Sequence, residues 1–302
     1  MPLLIRHWRP CLALSLLIAV VCGIHAMRWD QRGLFWLQQL GVGAGAQAAR
    51  VWLPGYRAAI QALPLAELAE TSGLSYNPFT GTLFTVAGRS QLVELSRAGE
   101  VLRRIELRGA RDLEAVEVLG DGRLALVDER QRRLFTLRLP EGDASLDSSQ
   151  LESFDLGFAG AGNKGFEGMA WDWSSRRLLL AKERSPLGLF SLPFPDEGGE
   201  IGLLRGEDTS GLFVRDLSSL TVDRRTGHRL LLSDESRLLV ELDRQGRPLS
   251  FMSLGRGSAG LERSIEQAEG VAMDEDGAIY MVSEPNLFYV FRKDEPLSLP
   301  RS

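Results

Sequence analysis

Glutamates recur in this chain at two fixed places. Three stretches set a Glu ahead of a small and then an apolar residue: Glu114-Ala115-Val116, Glu167-Gly168-Met169 and Glu269-Gly270-Val271. A second acid follows 15 to 17 positions further on, at Glu129, Glu183 and Glu284, with Glu235 at the same distance from Ser218 in a fourth stretch. Carboxylates brought together raise one another's pKa and resist desolvation, so a cluster of seven calls for a compensating cation. An all-oxygen set with no His or Cys selects a hard ion, and flexible Glu side chains suit the roughly six to eight oxygens around Ca2+ better than the strict octahedron of Mg2+. Glu114, Glu167 and Glu269 are the leading candidate ligands. Lys182, Arg184, Arg130, Arg111 and Lys164 offer the alternative of local ion pairing, which would make the acids purely structural.

Other chemistries are thinly supplied. Among 302 residues there are 3 His and 2 Cys, and His7 and His25 fall in the N-terminal segment. A nucleophilic triad would rest on His228 alone, in a Thr-Gly-His turn read as solvated, and a zinc site of His and Cys is nearly excluded. The formal net charge is −5, and no basic patch or phosphate-cradling glycine loop suggests nucleic acid or nucleotide.

Elements that place the acids are legible as a repeat. NPFTGTLFTVAGRSQLVELSRAGEVL from Asn77 recurs as DRRTGHRLLLSDESRLLVELDRQGRPL from Asp223, and related units start at Leu113, Phe166 and Ala268. Aligned on Gly73, Ala115, Gly168, Ser219 and Gly270, the five units are 42, 53, 51 and 51 residues apart. Each reads as short strands joined by polar turns, with a visible fourth strand in the first and fourth units, at 101–107 and 248–254. Four-stranded antiparallel units at this period indicate an all-β, five-bladed β-propeller. A two-sheet sandwich would not explain five in-phase copies. The last unit lacks a fourth strand, and the spare segment Tyr56 to Leu63 is expected to supply it and close the ring. In a blade the start of the first strand and the end of the second share one face, so all seven Glu should gather at one mouth of the channel. Trp171 and Trp173 alternate along a strand, and one is expected to pack between blades.

Ahead of the propeller (56–295) lie a basic stretch (1–10), an uncharged apolar segment (11–27) and a Gly/Ala-rich juxtamembrane helix or linker (28–55); a tail (296–302) follows. Arg6 and Arg9 before the apolar run indicate a secretory signal or signal anchor. Ile24 and Val21 spoil the small-residue positions that cleavage after Ala26 or lipidation at Cys22 would want, which favours an uncleaved anchor. Both cysteines lie inside this segment, so the part beyond it folds without disulfides. That part keeps all the acidic residues and loses only Arg6 and Arg9 among the basic ones, giving it a net charge of −7.

The succession SGLSYNPFTGTLFTV, DLEAVEVLGDGRLALVDER, NKGFEGMAWD with AKER, DLSSLTVDRRTGHRLLLSDES and AEGVAMDEDGAIYMVSEPNLFYVF resembles the SdiA-regulated (YjiK/CarP-type) family, over roughly Tyr56 to Lys293. The resemblance implies a calcium-binding five-bladed propeller in a membrane-anchored or periplasmic protein of a Gram-negative bacterium, with the family's acidic first-strand positions at Glu114, Glu167 and Glu269. Ala87-Gly88-Arg89 departs from the pattern, making the first blade a poor ligand donor. The expectation is an inner-membrane-anchored propeller facing the periplasm, which binds Ca2+ and acts in calcium-linked signalling or homeostasis, with a metal-dependent surface for a protein partner. Two alternatives stay open. One is a calcium-dependent phosphoesterase or lactonase, in which Lys182, Arg184 and Lys164 hold a phosphate; the other is a metal-free interaction scaffold.

Overall fold

In the computed structural model, residues 8–26, 29–157, 165–184, 186–195 and 199–294 are described. Lys164, His7 and the 296–302 tail lie outside them.

Every repeat folds into an antiparallel sheet whose first strand lines a central channel. Blade 1 comprises Thr71–Asn77, Thr82–Ala87, Gln91–Leu95 and Val101–Arg108; blade 2, Leu113–Val118, Leu124–Asp128, Arg133–Leu137 and Glu152–Asp155. Blade 3 is Phe166–Asp172, Arg177–Lys182, Gly188–Pro193 and the short Arg205–Gly206; blade 4 is Ser219–Val222, Arg229–Ser233, Leu238–Leu242 and Pro248–Ser253. Blade 5 takes Ala268–Met273, Ile279–Ser283 and Leu287–Lys293 from the C-terminal end, and its outermost strand is Tyr56–Pro64, paired from Tyr56↔Lys293 to Pro64↔Leu287. The ring is thus closed by hydrogen bonds between the two ends of the propeller. The fourth strands of blades 2 and 3 carry no repeat signature because long excursions precede them. One excursion also contributes Ala144–Asp147, which adds in parallel to the edge of blade 1.

Second strands such as Leu124–Asp128 and Ile279–Ser283 are buried throughout. Their apolar runs do not alternate because blades pack face to face, so both faces of a strand meet a neighbour. Five hydrophobic cores result, one between each pair of adjacent blades. Trp171 is one of their members, buried between blades 2 and 3, while Trp173 stays half-buried with the Arg224 guanidinium 3.9 Å over its ring.

The small residue used to align the repeats has a steric cause. At the axis the first strands approach so closely that a Cβ on Gly270 would meet Val282 Cγ2 at 2.5 Å and the backbone carbon of Gly73 at 2.8 Å. One on Gly168 would lie 3.0 Å from the Ser219 carbonyl carbon in the next blade.

The segment read as a juxtamembrane helix or linker contains helices and a strap that docks on blade 4. Helices Trp29–Leu40 and Ala44–Ala48 lead to a strap in which the backbone N–H groups of Val51 and Trp52 donate to the fully buried Glu241 at 2.8 and 3.0 Å. Glu241 also accepts from Ser250 Oγ and pairs with His228 Nδ1 at 2.7 Å. His228 is therefore not the solvated turn residue its surroundings in sequence indicate. Its side chain is 15% exposed, because the buried carboxylate draws it in. Helix Trp8–Ala26 precedes all this and exposes Leu12, Leu14, Leu16, Leu17 and Val21. No helix among the described residues is long and apolar enough to cross a membrane.

Candidate metal centre

Glu114, Glu167 and Glu269 each follow the first residue of an innermost strand, and in each case the strand register slips there. Pairing jumps from Leu113 to Ala115, from Phe166 to Gly168 and from Ala268 to Gly270, leaving the Glu opposite no partner. Such a bulge re-aims the side chain of its extra residue. Blades 1 and 4 have serines at this position, and these turn sideways: Ser72 Oγ donates to the Glu114 carbonyl at 3.0 Å and Ser218 Oγ to the Ala268 carbonyl at 2.6 Å.

The three bulged Glu converge electrostatically. Burial pushes Glu114 up to about 7, with Asp112, Glu129 and Glu284 adding to the rise against a hydrogen bond from Ser72. Glu167 is pushed to about 10 by burial and by Glu183, Glu269, Glu114 and Glu129. Glu269 reaches about 9 through burial, then Asp234, Glu284, Glu114 and Asp216. Burial and other carboxylates dominate at all three, and no Lys or Arg among the described residues pairs with them.

The acids after the second strands reach the same mouth but divide into two groups. Glu129 joins Asp112 and Glu114 in a cluster whose carboxylate oxygens all lie within 4.8 Å of one another; its Oε1 accepts from the Gly165 N–H at 2.6 Å. Glu183 and Glu235 are bridged by Arg184, and Glu235 also meets Arg215 at 3.3 Å. Glu284 accepts from Gln267 Nε2 at 3.0 Å, and burial with Glu70 and Asp234 raises its pKa. Local pairing thus covers Glu183 and Glu235 and leaves the bulged acids without a counter-charge among the described residues. Lys182, considered for that role and for holding phosphate, is buried and donates to the carbonyls of Arg184 and Pro186 at 2.6 and 3.2 Å. Arg130 pairs with Asp112 at 3.3 Å.

Asp112, Asp216 and Asp234 belong to the mouth and escaped the sequence reading. A signal for the first two exists: the triplet Arg-Asp-Leu stands at 111–113 and again at 215–217, just ahead of the first strands of blades 2 and 4. Deeper in the channel wall, burial raises Glu117 to about 8 against hydrogen bonds from Ser75 and the backbone of Val118 and Trp171. At the far mouth the acids are architectural. Asp172, Asp223 and Asp274 accept backbone N–H bonds from Ser174, Arg225 and Ala278 and hold the turns after the first strands.

The donor set fits a hard divalent cation. Calcium ligands lie about 2.3–2.6 Å from the ion, so two oxygens on one ion stand no more than about 5 Å apart. The Asp112, Glu114 and Glu129 oxygens satisfy that limit.

Fold and site together define a five-bladed β-propeller with a carboxylate-lined channel mouth. The chain belongs to the SdiA-regulated family, whose family model matches residues 48–292. Solved structures to which this chain is similar include a streptogramin B lyase (10% identity, TM-score 0.44, covering 74% of this chain and 65% of that one). Others are a gluconolactonase from Xanthomonas campestris (14%, 0.49, covering 84% and 94%) and the calcium-binding protein regucalcin from Agrobacterium tumefaciens (12%, 0.48, covering 78% and 94%). This chain thus spans under two thirds of the lyase. At these identities and scores the chemistry of those proteins does not transfer to it.

Proposed function

We propose that this protein is a calcium-responsive binding protein: an exported propeller, anchored in the inner membrane through the apolar segment 11–27 and facing the periplasm, that takes up Ca2+ at its acidic mouth. The observation that carries the reading is the convergence of Glu114, Glu167 and Glu269 from three blades, with no cation beside them among the described residues. A fold that needed these acids only for packing would replace them with neutral residues at a gain in stability. Asp112, Glu114 and Glu129 would hold the ion, with Glu167 and Glu269 completing the shell across the channel. Bound calcium would neutralise the mouth and tighten three blades against one another, changing the surface offered to a protein partner. The hydrolase alternative is weakened because Lys182 and Arg184 are committed elsewhere.

Calorimetric titration of the full chain with Ca2+ tests this, alongside Asp112→Asn and Glu129→Gln. Saturable heat in the wild type and a loss of affinity of about tenfold or more in each variant are expected. No heat, or unchanged affinity in both variants, would sink the proposal.

A further inference from the structure

Helix Trp29–Leu40 presents two opposed stripes. Phe35 points inward and meets Phe213 and Phe251 with ring centroids 5.1 and 6.0 Å apart, while Gln39, one turn on, is buried. Phe251 belongs to the outermost strand of blade 4, so the helix lies along the rim of that blade. On the other side, Trp36, Leu37 and Leu40 are 52%, 60% and 67% exposed. Together with exposed Gly33 they occupy positions i, i+3, i+4 and i+7, one face of a helix. Trp36 also edges a 490 Å3 groove shared with Leu53, Pro54 and Met252. An outward stripe of one Trp and two Leu is the composition of a helix that lies in a membrane surface.

Chain continuity identifies what covers this stripe. The helix begins three residues after helix Trp8–Ala26, whose large apolar side chains between Leu12 and Ile24 are exposed. Among the described residues that helix is not by itself long and apolar enough to cross a membrane, so its hold on lipid gains from any further apolar surface beside it. Any bilayer holding that helix is within reach of Trp36, Leu37 and Leu40, and a short anchor benefits from interfacial aromatic and leucine contacts.

We propose that helix 29–40 lies in the lipid surface, with Trp36, Leu37 and Leu40 at the boundary of headgroups and acyl chains, and brackets the propeller to the membrane by the rim of blade 4. This rests on the reading of the apolar segment 11–27 as an anchor. Its consequence is orientation. With a blade rim against the bilayer, the channel axis runs along the membrane, and the acidic mouth opens sideways into the aqueous phase, accessible to ions and partners.

The test uses the full chain, with Cys11→Ser and Cys22→Ser, in phosphatidylethanolamine–phosphatidylglycerol vesicles containing brominated acyl chains. An environment-sensitive fluorophore is attached at Leu40→Cys in one sample and at Leu203→Cys, an 80% exposed site away from this helix, in another. Quenching several-fold stronger at position 40 than at 203 is expected, and adding Leu37→Asp should reduce it several-fold while leaving the melting temperature unchanged. Flotation with the vesicles under alkaline carbonate reports the anchor separately. If the chain fails to float, the anchor reading falls and the bracket with it. If it floats while position 40 is quenched no more than 203, or cross-links to a second copy there, the bracket alone is wrong.

Discussion

Glu167 sits among Glu183, Glu269, Glu114 and Glu129, and burial with these neighbours holds its proton to about pH 10. In the metal-free protein at neutral pH the residue is an acid kept neutral at a cost to folding, an arrangement found where function overrides stability. Glu167→Gln keeps the shape and supplies a neutral group permanently. The substitution should therefore match the wild type in metal-free stability only near pH 4, exceed it at pH 7 and exceed it further at pH 10, while weakening calcium binding by about tenfold or more, roughly 1.4 kcal/mol or above. Thermal melts in chelator paired with calorimetry check both halves. A variant that lost stability in chelator would show Glu167 to be a structural residue and not one held for a ligand.

Among the elements, the innermost strands decide both closure and aim. Gly270 lies where blades 5 and 1 touch, and an added methyl would press on Val282 and on the backbone of Gly73, neither of which is a flexible side-chain end. Gly270→Ala is expected to destabilise by about 1–3 kcal/mol, lowering the melting temperature by several degrees, as overpacking does. Replacing Gly206, whose Cβ would meet nothing nearer than Phe190 Cε1 at 3.8 Å, provides a comparison that differs in crowding although both sites are glycines in strands. An unchanged melting temperature for Gly270→Ala would mean that the ring is looser at its axis than these distances indicate. The Gly/Ala/Ser position was legible in the sequence because the same steric demand recurs in every blade, and the closing strand Tyr56–Pro64 was legible because the last repeat lacked one. The bulges at Glu114, Glu167 and Glu269 were not, since a register slip leaves no composition of its own. Nor was the role of His228, which depends on Glu241, a residue 13 positions away on a neighbouring strand. Asp112 went unread for a related reason: it precedes the strand that defines the repeat and reaches the mouth only through the turn that Asp128 organises by accepting from the N–H groups of Arg111 and Asp112.

At the scale of the whole molecule, a net charge of −5 hides a local concentration of acid whose titration should govern stability. In the unfolded chain these glutamates titrate near 4.5, whereas in the metal-free ring Glu114 keeps its proton to about 7, Glu117 to about 8, Glu269 to about 9 and Glu167 to about 10. Between those limits the native state binds more protons than the unfolded state, so stability falls as pH rises. Asp172 and Asp243 act in the opposite sense, since hydrogen bonds hold their pKa values down and their contribution is lost only on acidification below the ordinary carboxylate range. The metal-free protein should therefore be most stable near pH 5 and lose at least about 5–10 °C in melting temperature by pH 9, the share of Glu114 alone at about 1.4 kcal/mol per pH unit and about 2–4 °C per kcal/mol for a domain of this size. Calcium bound as proposed would oppose the trend. Held by deprotonated carboxylates of the native state, it would stabilise more as pH rises and offset the loss. Melts at several pH values, in chelator and in millimolar calcium, separate the two contributions. A melting temperature in chelator that does not decline from pH 5 to pH 9 would contradict the raised pKa values. A decline that calcium leaves untouched would place the ion away from the mouth, and with it the function proposed for the acidic ring.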